Sequence, residues 1–327
     1  MQQSRAKHAD WPSLLAVSDG RAGNARQAGA LAAALDGRAG QLQLAPRAPW
    51  RWLAPRALPG AGKAMGRDFA RLLARPPALA IGCGRQAALA TRLLGARGSR
   101  TVQILDPRID GRHWDLLVLP EHDRRGGDNV IALVGRLNPV DDAWLARARH
   151  DFPAFADLPG PRTALLLGGP TAHARYDAAA LRAACAGAAQ RAIAESGSVL
   201  ATVSRRTPAD MAAIVHQALS GIPGLVWRGD RDGPNPYPGL LAWADRVVCS
   251  PDSVNMVSEA CATRVPVEVF GIERCDGRPR RFLDRLQGLG RIHAPGQAPS
   301  GLAPEPLRET ARVAQAVRER LDWRQAG

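Results

Sequence analysis

The chain of 327 residues is longer than one typical hydrophobic core supports, which favours two domains, and its 46% hydrophobic residues exclude wholesale disorder. The formal net charge of +14 is carried almost wholly by arginine, since Lys7 and Lys63 are the only lysines. Together with abundant alanine this indicates GC-rich coding DNA rather than a basic binding face. Because no arginine-rich block alternates with aromatic residues, we expect no nucleic acid partner.

The five cysteines are odd in number, widely spaced and mostly set in apolar segments, which is typical of reduced thiols in a cytosolic protein. No cysteine pair has zinc-site spacing and no two histidines lie four residues apart, so we expect no metal site. The first ten residues are polar, and no run of about 18 apolar residues exists. We therefore predict a cytoplasmic protein without a signal peptide or a membrane-spanning helix.

The first half of the chain alternates short apolar strands with helices. A strand over 13–17 runs into the glycine-rich turn 18–24, which lacks the G-x-G-x-x-G pattern of dinucleotide binding, and then into a helix over 25–35. Residues 46–62 hold two tryptophans and several prolines and are expected to form an irregular loop with an apolar tip. Further strands are predicted over 42–44, 77–83, 101–105, 114–120 and 129–134.

A proline-rich stretch over 153–161 is predicted to be the linker, after which the alternation restarts. A strand over 163–167 precedes a long alanine-rich helix over 178–195. Strands over 198–203 and 225–227 follow, and the last predicted helix, 302–323, is amphipathic.

Strands that alternate with helices in this way predict parallel sheets with right-handed crossovers. The expected fold class is therefore α/β, with two doubly wound Rossmann-like domains facing a cleft. We assign residues 1–155 to the N-terminal domain and 156–300 to the C-terminal domain. In such folds the turns that follow the strands point towards the ligand.

The stretch 247–260 has the most informative local pattern. A short apolar strand leads into a polar turn, and Asp252 or Ser253 can cap the helix that follows. A helix that begins there directs N–H groups and the positive end of its dipole at the cleft, which suits an anion. Asn255 and Glu259 share one face, where Glu259 can accept hydrogen bonds from a sugar or ribose hydroxyl. Ordinary helix capping would produce the same pattern.

Other residues of the C-terminal half are candidates for the same phosphate site. Ser250 directly follows the apolar strand. Gly168 and Gly169 either let the backbone approach a diphosphate or make a tight turn that needs positive φ. Arg205 and Arg206 follow a strand and can clamp phosphate oxygens, although one of the two is expected to be an ordinary solvated arginine.

Acid and base candidates follow strands of the N-terminal half. General acid–base catalysis needs a carboxylate or an imidazole within hydrogen-bond reach of the proton that is transferred, and Asp19, Glu121 and His122 are the catalytic candidates. Asp19 can alternatively cap a helix, and His122 can be a hydrogen-bonded structural histidine. The D-x-D over 230–232 is a pattern that can bind a divalent metal ion through its two carboxylates, but its setting among glycines and prolines favours a turn.

Six motifs, in order along the chain, resemble those of the mitochondrial fission protein family, which is named after a plant elongated-mitochondria protein and has many bacterial members. The likeness spans residues 14–290. The motifs are Ser18-Asp19-Gly20-Arg21-x-Gly23-Asn24, Asp106-Pro107-Arg108, Pro120-Glu121-His122-Asp123, Ser204-Arg205-Arg206-Thr207, Asn235-Pro236-Tyr237 and Asp252-Ser253-x-x-Met256-x-Ser258-Glu259-Ala260.

That family is similar to the two-domain glycosyltransferases and sugar-nucleotide 2-epimerases of the B-type fold. In those enzymes a serine-rich turn and a helix N-terminus bind the donor diphosphate, and a glutamate of the following helix holds the ribose. The resemblance carries these roles to Ser253 and Glu259. It also implies that the N-terminal domain is on the acceptor side, that the C-terminal domain is on the donor side, and that a C-terminal helix within 301–327 packs back on the first domain. The plant relative is implicated in recruiting a dynamin-like GTPase to mitochondria, a role that a bacterial-looking chain need not share.

The resemblance implies a metal-independent glycosyltransferase-like enzyme that uses a nucleotide-sugar as co-substrate, without a cofactor, and a lipid-linked or saccharide acceptor. One alternative is a sugar-nucleotide 2-epimerase with Asp19 and Glu121 on two sides of the sugar. Another is a non-catalytic interaction scaffold on the same fold.

The loop over 46–62 suggests a further role at the inner face of the membrane. Trp50 and Trp52 are flanked by Arg47, Arg51 and Arg56, a combination that suits peripheral contact with an anionic bilayer. The alternative is that the aromatic tip packs on its own domain.

Overall fold

The structure is a computed structural model that describes residues 11–297 and 305–323. Its contacts divide the chain into two compact units. Unit 1 comprises the described residues up to Pro139 and from Glu309 onward, and unit 2 comprises Val140–Arg308. Each unit contains a parallel β-sheet covered by helices, which confirms the predicted α/β class with two doubly wound domains.

The sheet of unit 1 has six strands in the order β2-β1-β3-β4-β5-β6. Their bounds are Leu14–Ser18 (β1), Gly40–Gln43 (β2), Leu79–Cys83 (β3), Arg100–Ile104 (β4), Leu116–Pro120 (β5) and Val130–Leu133 (β6). The helices up to Pro139 are Ala22–Leu35 (α1), Trp50–Leu53 (α2), Ala61–Ala64 (α3), Arg67–Ala74 (α4) and Arg85–Gly95 (α5). The loop expected over 46–62 thus contains two short helices.

The central strands of this sheet are buried along their whole length, because helices cover both faces. Successive side chains of β1 point to opposite faces. Leu14 and Ala16 join one apolar cluster, with α1, and Leu15 and Val17 join another, with α4 and α5.

The sheet of unit 2 has five strands in the order β11-β10-β7-β8-β9. Their bounds are Arg162–Leu167 (β7), Ser198–Val203 (β8), Gly224–Trp227 (β9), Arg246–Cys249 (β10) and Val267–Val269 (β11). The helices are Asp142–Asp151 (α6), Ala178–Glu195 (α7), Ala209–Ala218 (α8), Tyr237–Trp243 (α9), Val254–Cys261 (α10) and Gly277–Gly288 (α11).

Helix α6 was not predicted. Its start is fixed by Asp141, whose side chain accepts a hydrogen bond from Trp144 N at 2.7 Å, as an N-cap does. The helix packs against α9, within unit 2. Part of the stretch expected to be a linker forms a 3₁₀ helix, Pro153–Asp157.

The final helix, Glu309–Leu321 (α12), packs on unit 1, as the resemblance implied. Val313, Val317 and Leu321 join the apolar cluster that includes α1. Glu309 Oε2 accepts a hydrogen bond from Val134 N at 2.9 Å. The predicted start of this helix at 302 lies outside the described residues. Among the helices of 11–297 and 305–323, none is long and apolar enough to cross a membrane.

All five cysteines are buried and unpaired, as predicted. Burial raises the pKa of the Cys83, Cys185 and Cys261 thiols to about 12 and that of Cys275 to about 11. It also raises the pKa of Cys249 well above its usual range. Since the thiolate is the reactive form, these residues are inert in the folded chain.

We expect Glu309→Ala to lower the free energy of unfolding by about 1–3 kcal/mol, because it leaves the buried Val134 N–H without its acceptor. Glu319→Ala, on the exposed side of the same helix, is the matched control and should change stability by less than about 0.5 kcal/mol. Urea denaturation of both variants measures the difference. Equal stability of the two variants would show that Glu309 does not hold α12 in place.

We also expect native protein at about pH 8 to resist alkylation by iodoacetamide, whereas urea-unfolded protein takes up one label at each of its five cysteines. Intact-mass spectrometry over time reports the number of labels. Rapid labelling of any cysteine in the folded chain would contradict the burial described above.

Candidate functional site

The candidate site of unit 2 lies where the order of its strands reverses. Open parallel sheets bind ligands beyond the carboxyl ends of their strands, at the point where successive connections diverge. In unit 2 this point falls between the adjacent strands β7 and β10. The turn after β7 begins with Gly168 and Gly169, and the turn after β10 spans 250–253.

The side chain of Asp252 connects these turns and is completely buried. Its Oδ1 accepts a hydrogen bond from Ser250 Oγ at 2.7 Å. Its Oδ2 accepts from Gly169 N at 3.2 Å and from Arg206 Nη2 at 2.7 Å. The Ser250 hydroxyl in turn accepts a hydrogen bond from Gly168 N at 2.7 Å. One carboxylate therefore joins the turns after β7, β8 and β10.

Gly168 and Gly169 are required by close packing. Neither is among the described glycines with positive φ, which corrects the interpretation of a turn that needs that conformation. A Cβ on Gly168 would lie 2.0 Å from Oδ2 of Asp252, and one on Gly169 would lie 2.2 Å from the carbonyl oxygen of Arg206. The Asp252 carboxylate and the backbone after β8 occupy the space that those side chains would need.

The turn after β8 is held by its own hydroxyls. Thr207 Oγ1 donates to the carbonyl oxygen of Gly168 at 2.6 Å and accepts from Ser204 N at 3.0 Å. Arg206 N donates to Ser204 Oγ at 3.1 Å. This turn is therefore fixed to the turn after β7, which positions the side chain of Arg206.

The two arginines of this turn differ in their surroundings. Arg206 pairs with Asp252 while 53% of its side chain stays exposed. Arg205 is exposed and has no ion-pair partner within the described part of the chain. Arg206 thus belongs to the ordered cluster, and Arg205 is the solvated arginine of the pair.

Ser253 is the N-cap of α10, since its Oγ accepts a hydrogen bond from Met256 N at 3.3 Å. Asp252, the other capping candidate, is engaged in the cluster described above. The first turn of α10, which includes Asn255, is half-exposed. Because the first N–H groups of any helix lack helical acceptors, this turn offers donors and a positive dipole end to an anion.

Glu259 lies one turn further along α10 and is 2% exposed. Its Oε2 accepts a hydrogen bond from the Tyr237 hydroxyl at 2.5 Å. Tyr237 begins α9, and its own N–H donates to Asn235 Oδ1 at 3.0 Å. A carboxylate can accept about four hydrogen bonds, so the contact with Tyr237 orients Glu259 and uses one of its lone pairs.

Three side chains of this site were not among the sequence candidates. Thr207 and Tyr237 stood in motifs that carried the family resemblance, although no role was assigned to them. Tyr176 gave no signal in the sequence. Its hydroxyl is buried near Asp252, and burial together with the charge of that carboxylate raises the pKa of Tyr176 above its usual range.

In unit 1 the strand order reverses between β1 and β3, and Asp19 follows β1. Asp19 Oδ1 accepts hydrogen bonds from Arg21 N at 3.2 Å and from Asn24 Nδ2 at 3.0 Å. Helix α1 has Arg21 as its N-cap and no side-chain cap. Asp19 therefore closes the turn before the helix, and the interpretation of Asp19 as the helix cap is wrong.

Glu121 and His122 lie in a short 3₁₀ helix, Glu121–Asp123, that follows β5. Glu121 is exposed and His122 is half-buried. Two strands separate β1 from β5, which puts the two strand ends about 14 Å apart at the usual spacing between strands. The structure therefore does not bring Asp19 together with Glu121 and His122.

The D-x-D over 230–232 is occupied by local contacts. Asp232 accepts hydrogen bonds from the backbone N–H of Arg228 at 2.8 Å and from its guanidinium at 2.9 Å and 3.0 Å. Within the described ranges no group of three or more His, Cys, Asp or Glu side chains is arranged to hold a metal ion.

Several solved structures share the fold of this chain, among them two that are named as UDP-GlcNAc 2-epimerases. UDP-GlcNAc 2-epimerase from Methanocaldococcus jannaschii is 12% identical, with 93% of this chain and 99% of that one covered and a TM-score of 0.56. A candidate UDP-N-acetylglucosamine 2-epimerase from Listeria monocytogenes is 11% identical, with 95% and 88% covered and a TM-score of 0.50. At such identities the similarity concerns the fold, which is the predicted B-type fold.

Sequence comparison is more specific. The mitochondrial fission protein ELM1 of Arabidopsis thaliana is 31% identical over 279 residues, which make up 75% of this chain and 64% of the plant protein. The match therefore spans less than two thirds of the plant relative's length. The family model described as mitochondrial fission ELM1 matches residues 22–321. The chain belongs to the mitochondrial fission ELM1 family.

Proposed function

We propose that unit 2 binds the diphosphate of a nucleotide-activated sugar at the first turn of α10, and that the chain is a metal-independent glycosyltransferase-like enzyme. The observation that carries this proposal is the Asp252 cluster at the strand-order reversal. It fixes three turns around one point and leaves both the first turn of α10 and the guanidinium of Arg206 open to solvent. Rigid donors of this kind suit an anion.

Within the proposed site Asp252 is a positioning residue, because a buried carboxylate would repel a phosphate. Arg206 is the side chain that meets the ligand. Its guanidinium has five N–H donors, and one of them donates to Asp252. Because about half of the side chain is exposed, the remaining donors can bind phosphate oxygens. Arg205 adds positive charge beside it.

Glu259 is the proposed ribose ligand, as in the enzymes of this fold that the sequence resembles. The Tyr237 hydroxyl holds its carboxylate in one orientation. A hydrogen bond between a ribose hydroxyl and a buried carboxylate is stronger than one at the surface. The names of the two structural neighbours include UDP-sugars, so we propose a uridine diphosphate sugar as the first donor to test.

Transfer is favoured over 2-epimerisation by one feature of unit 1. An epimerase would need carboxylates on two sides of one sugar carbon, whereas Asp19 and Glu121 follow strands about 14 Å apart. A transferase needs a single base near the acceptor hydroxyl, and Asp19, at the strand-order reversal of unit 1, is the proposed base. The acceptor would be a saccharide or a lipid-linked hydroxyl. The five unpaired thiols suit a reducing compartment, so we place this activity in the cytoplasm.

We expect Asn255→Asp to weaken UDP binding at least tenfold, or about 1.4 kcal/mol, because it adds a negative charge where the diphosphate would bind. The same change should keep or raise the melting temperature, since an acidic residue in the first turn of a helix is favourable. Gln190→Glu makes the same amide-to-carboxylate change on the exposed face of α7 and should leave binding unchanged. Isothermal titration calorimetry without metal measures the UDP affinity of both variants, and thermal denaturation measures their melting temperatures. Unchanged UDP affinity in Asn255→Asp would show that the diphosphate does not bind at the first turn of α10.

We expect Glu259→Gln to weaken UDP binding about tenfold, because hydrogen bonds to charged groups contribute about 1.5–3 kcal/mol. The affinity for inorganic pyrophosphate, which has no ribose, should change by less than about twofold. The variant keeps an acceptor for Tyr237. A parallel loss of both affinities would assign Glu259 a structural role. If well-folded wild-type protein bound no nucleoside diphosphate or nucleotide-sugar at all, the non-catalytic scaffold would replace the enzyme as the better explanation.

A further inference from the structure

One surface of unit 1 is basic and apolar and carries almost no negative charge. No Asp or Glu occurs between Asp36 and Asp68. Asp68, at the border, is paired with Arg71 at 3.3 Å. The same interval contains these basic residues: Arg38, Arg47, Arg51, Arg56, Lys63 and Arg67. The middle of this interval, residues 45–63, is the surface considered below.

The two tryptophans of this surface have opposite environments. Trp50 is half-buried and packs on the apolar cluster of β1 and α5. Trp52 is 63% exposed, and Leu58 is 42% exposed. Within the described residues of unit 1, these are the large hydrophobic side chains that stand out into solvent. The guanidinium of Arg51 lies 5.7 Å from the ring centroid of Trp52. Trp50 thus fixes the segment to unit 1, and Trp52 projects from it.

The cations around Trp52 are not neutralised. Arg47, Arg51, Arg56 and Lys63 are exposed, and none has an acidic partner among the residues that the structure describes. Arginines elsewhere are commonly paired, as Arg228 is with Asp232 at 2.9 Å. Unpaired cations beside exposed apolar side chains attract a partner that is both anionic and apolar.

A groove adjoins this surface. It encloses about 490 Å³ and is lined by Gly60, Gly62, Lys63, Leu73 and Arg97, among others. Its charged lining residues are Lys63 and Arg97, both exposed and both cationic. Because Gly60 and Gly62 contribute no side chains, the groove keeps a volume that can accommodate a phosphodiester group.

We propose that this surface binds an anionic phospholipid bilayer, with Trp52 and Leu58 at the level of the headgroups and one lipid phosphate between Lys63 and Arg97. Tryptophan is enriched at membrane interfaces, and nearby arginine and lysine residues bind the negative surface of the leaflet. A bilayer is favoured over an acidic protein because the apolar side chains project from a short, proline-flanked turn and do not line an extended groove. The proposal does not depend on nucleotide binding.

The segment that forms this surface starts near the catalytic candidate of unit 1. It begins two residues after β2, and Ser18, at the end of β1, is in register with Gln43, at the end of β2. The side chain of Gln43 lies against Gly20, next to Asp19. The segment that forms the surface therefore starts at the carboxyl edge of the sheet, where Asp19 lies, whereas Arg97 of the groove lies just before β4, at the opposite edge.

Vesicle flotation tests the proposal, using the full chain with vesicles of phosphatidylcholine alone or with one third phosphatidylglycerol. We expect binding to the anionic vesicles only, and a loss of binding as salt is raised. Lys63→Glu and Arg97→Glu should each weaken binding at least fivefold, because each basic residue near an anionic surface contributes about that factor. Trp52→Ser should weaken binding about tenfold through lost apolar burial.

Two variants of unit 2 are matched controls. Arg182→Glu reverses an exposed charge on α7, and Ile193→Ser removes an apolar side chain that is 69% exposed. Neither should change flotation, and thermal denaturation checks that every variant is folded. Equal binding to both vesicle types, no binding to either, or full binding by Trp52→Ser and Lys63→Glu would each overturn the proposal. In the second case an acidic protein becomes the expected occupant of this surface.

Discussion

The buried carboxylate of Asp252 is the constraint on which the candidate site depends. A charge removed from water is destabilising unless it is fully hydrogen-bonded and paired. Asp252 meets this requirement with donors from Ser250, Gly169 and Arg206, which lie in the turns after three different strands. The requirement also fixes the sequence around it, since any side chain at Gly168 would overlap the carboxylate. These residues therefore form one unit that cannot be changed piece by piece.

This arrangement resolves an apparent contradiction, which is that an acidic residue lies at the centre of a proposed anion site. Asp252 is covered by its own donors, and its charge is opposed by Arg206, so the groups exposed at the proposed site are the Arg206 side chain and the first turn of α10 rather than the carboxylate. Because Arg206 is shared between the carboxylate and solvent, its side chain is already held in place at the proposed site, which would lower the entropic cost of binding there. The protein thus uses a buried negative charge to fix the position of an exposed positive one.

The local features of this site could be read from the sequence, and its long-range contacts could not. Short apolar strands, the alternation with helices and a helix cap at Asp252 or Ser253 follow from patterns within a few neighbouring residues. The hydrogen bond from Gly169 to Asp252 joins residues 83 positions apart, and the one from Tyr237 to Glu259 joins residues 22 apart. The separation of Asp19 from Glu121 depends on strand order, which periodicity does not encode. The reason for Gly168 and Gly169 was missed because it is a contact and not a backbone angle.

The composition of the chain likewise did not predict where its positive charge is uncompensated. Biased coding explains why the basic residues are arginine rather than lysine, and it would spread them along the whole chain. It does not explain why acidic residues are absent between Asp36 and Asp68, whereas Arg206, Arg228 and Arg312 each lie within hydrogen-bond distance of a carboxylate. In a folded protein the charge that acts on a partner is the charge left after such pairs are formed. By that measure Arg47, Arg51, Arg56 and Lys63 form one local group of uncompensated cations around Trp52, which the net charge of the chain does not reveal.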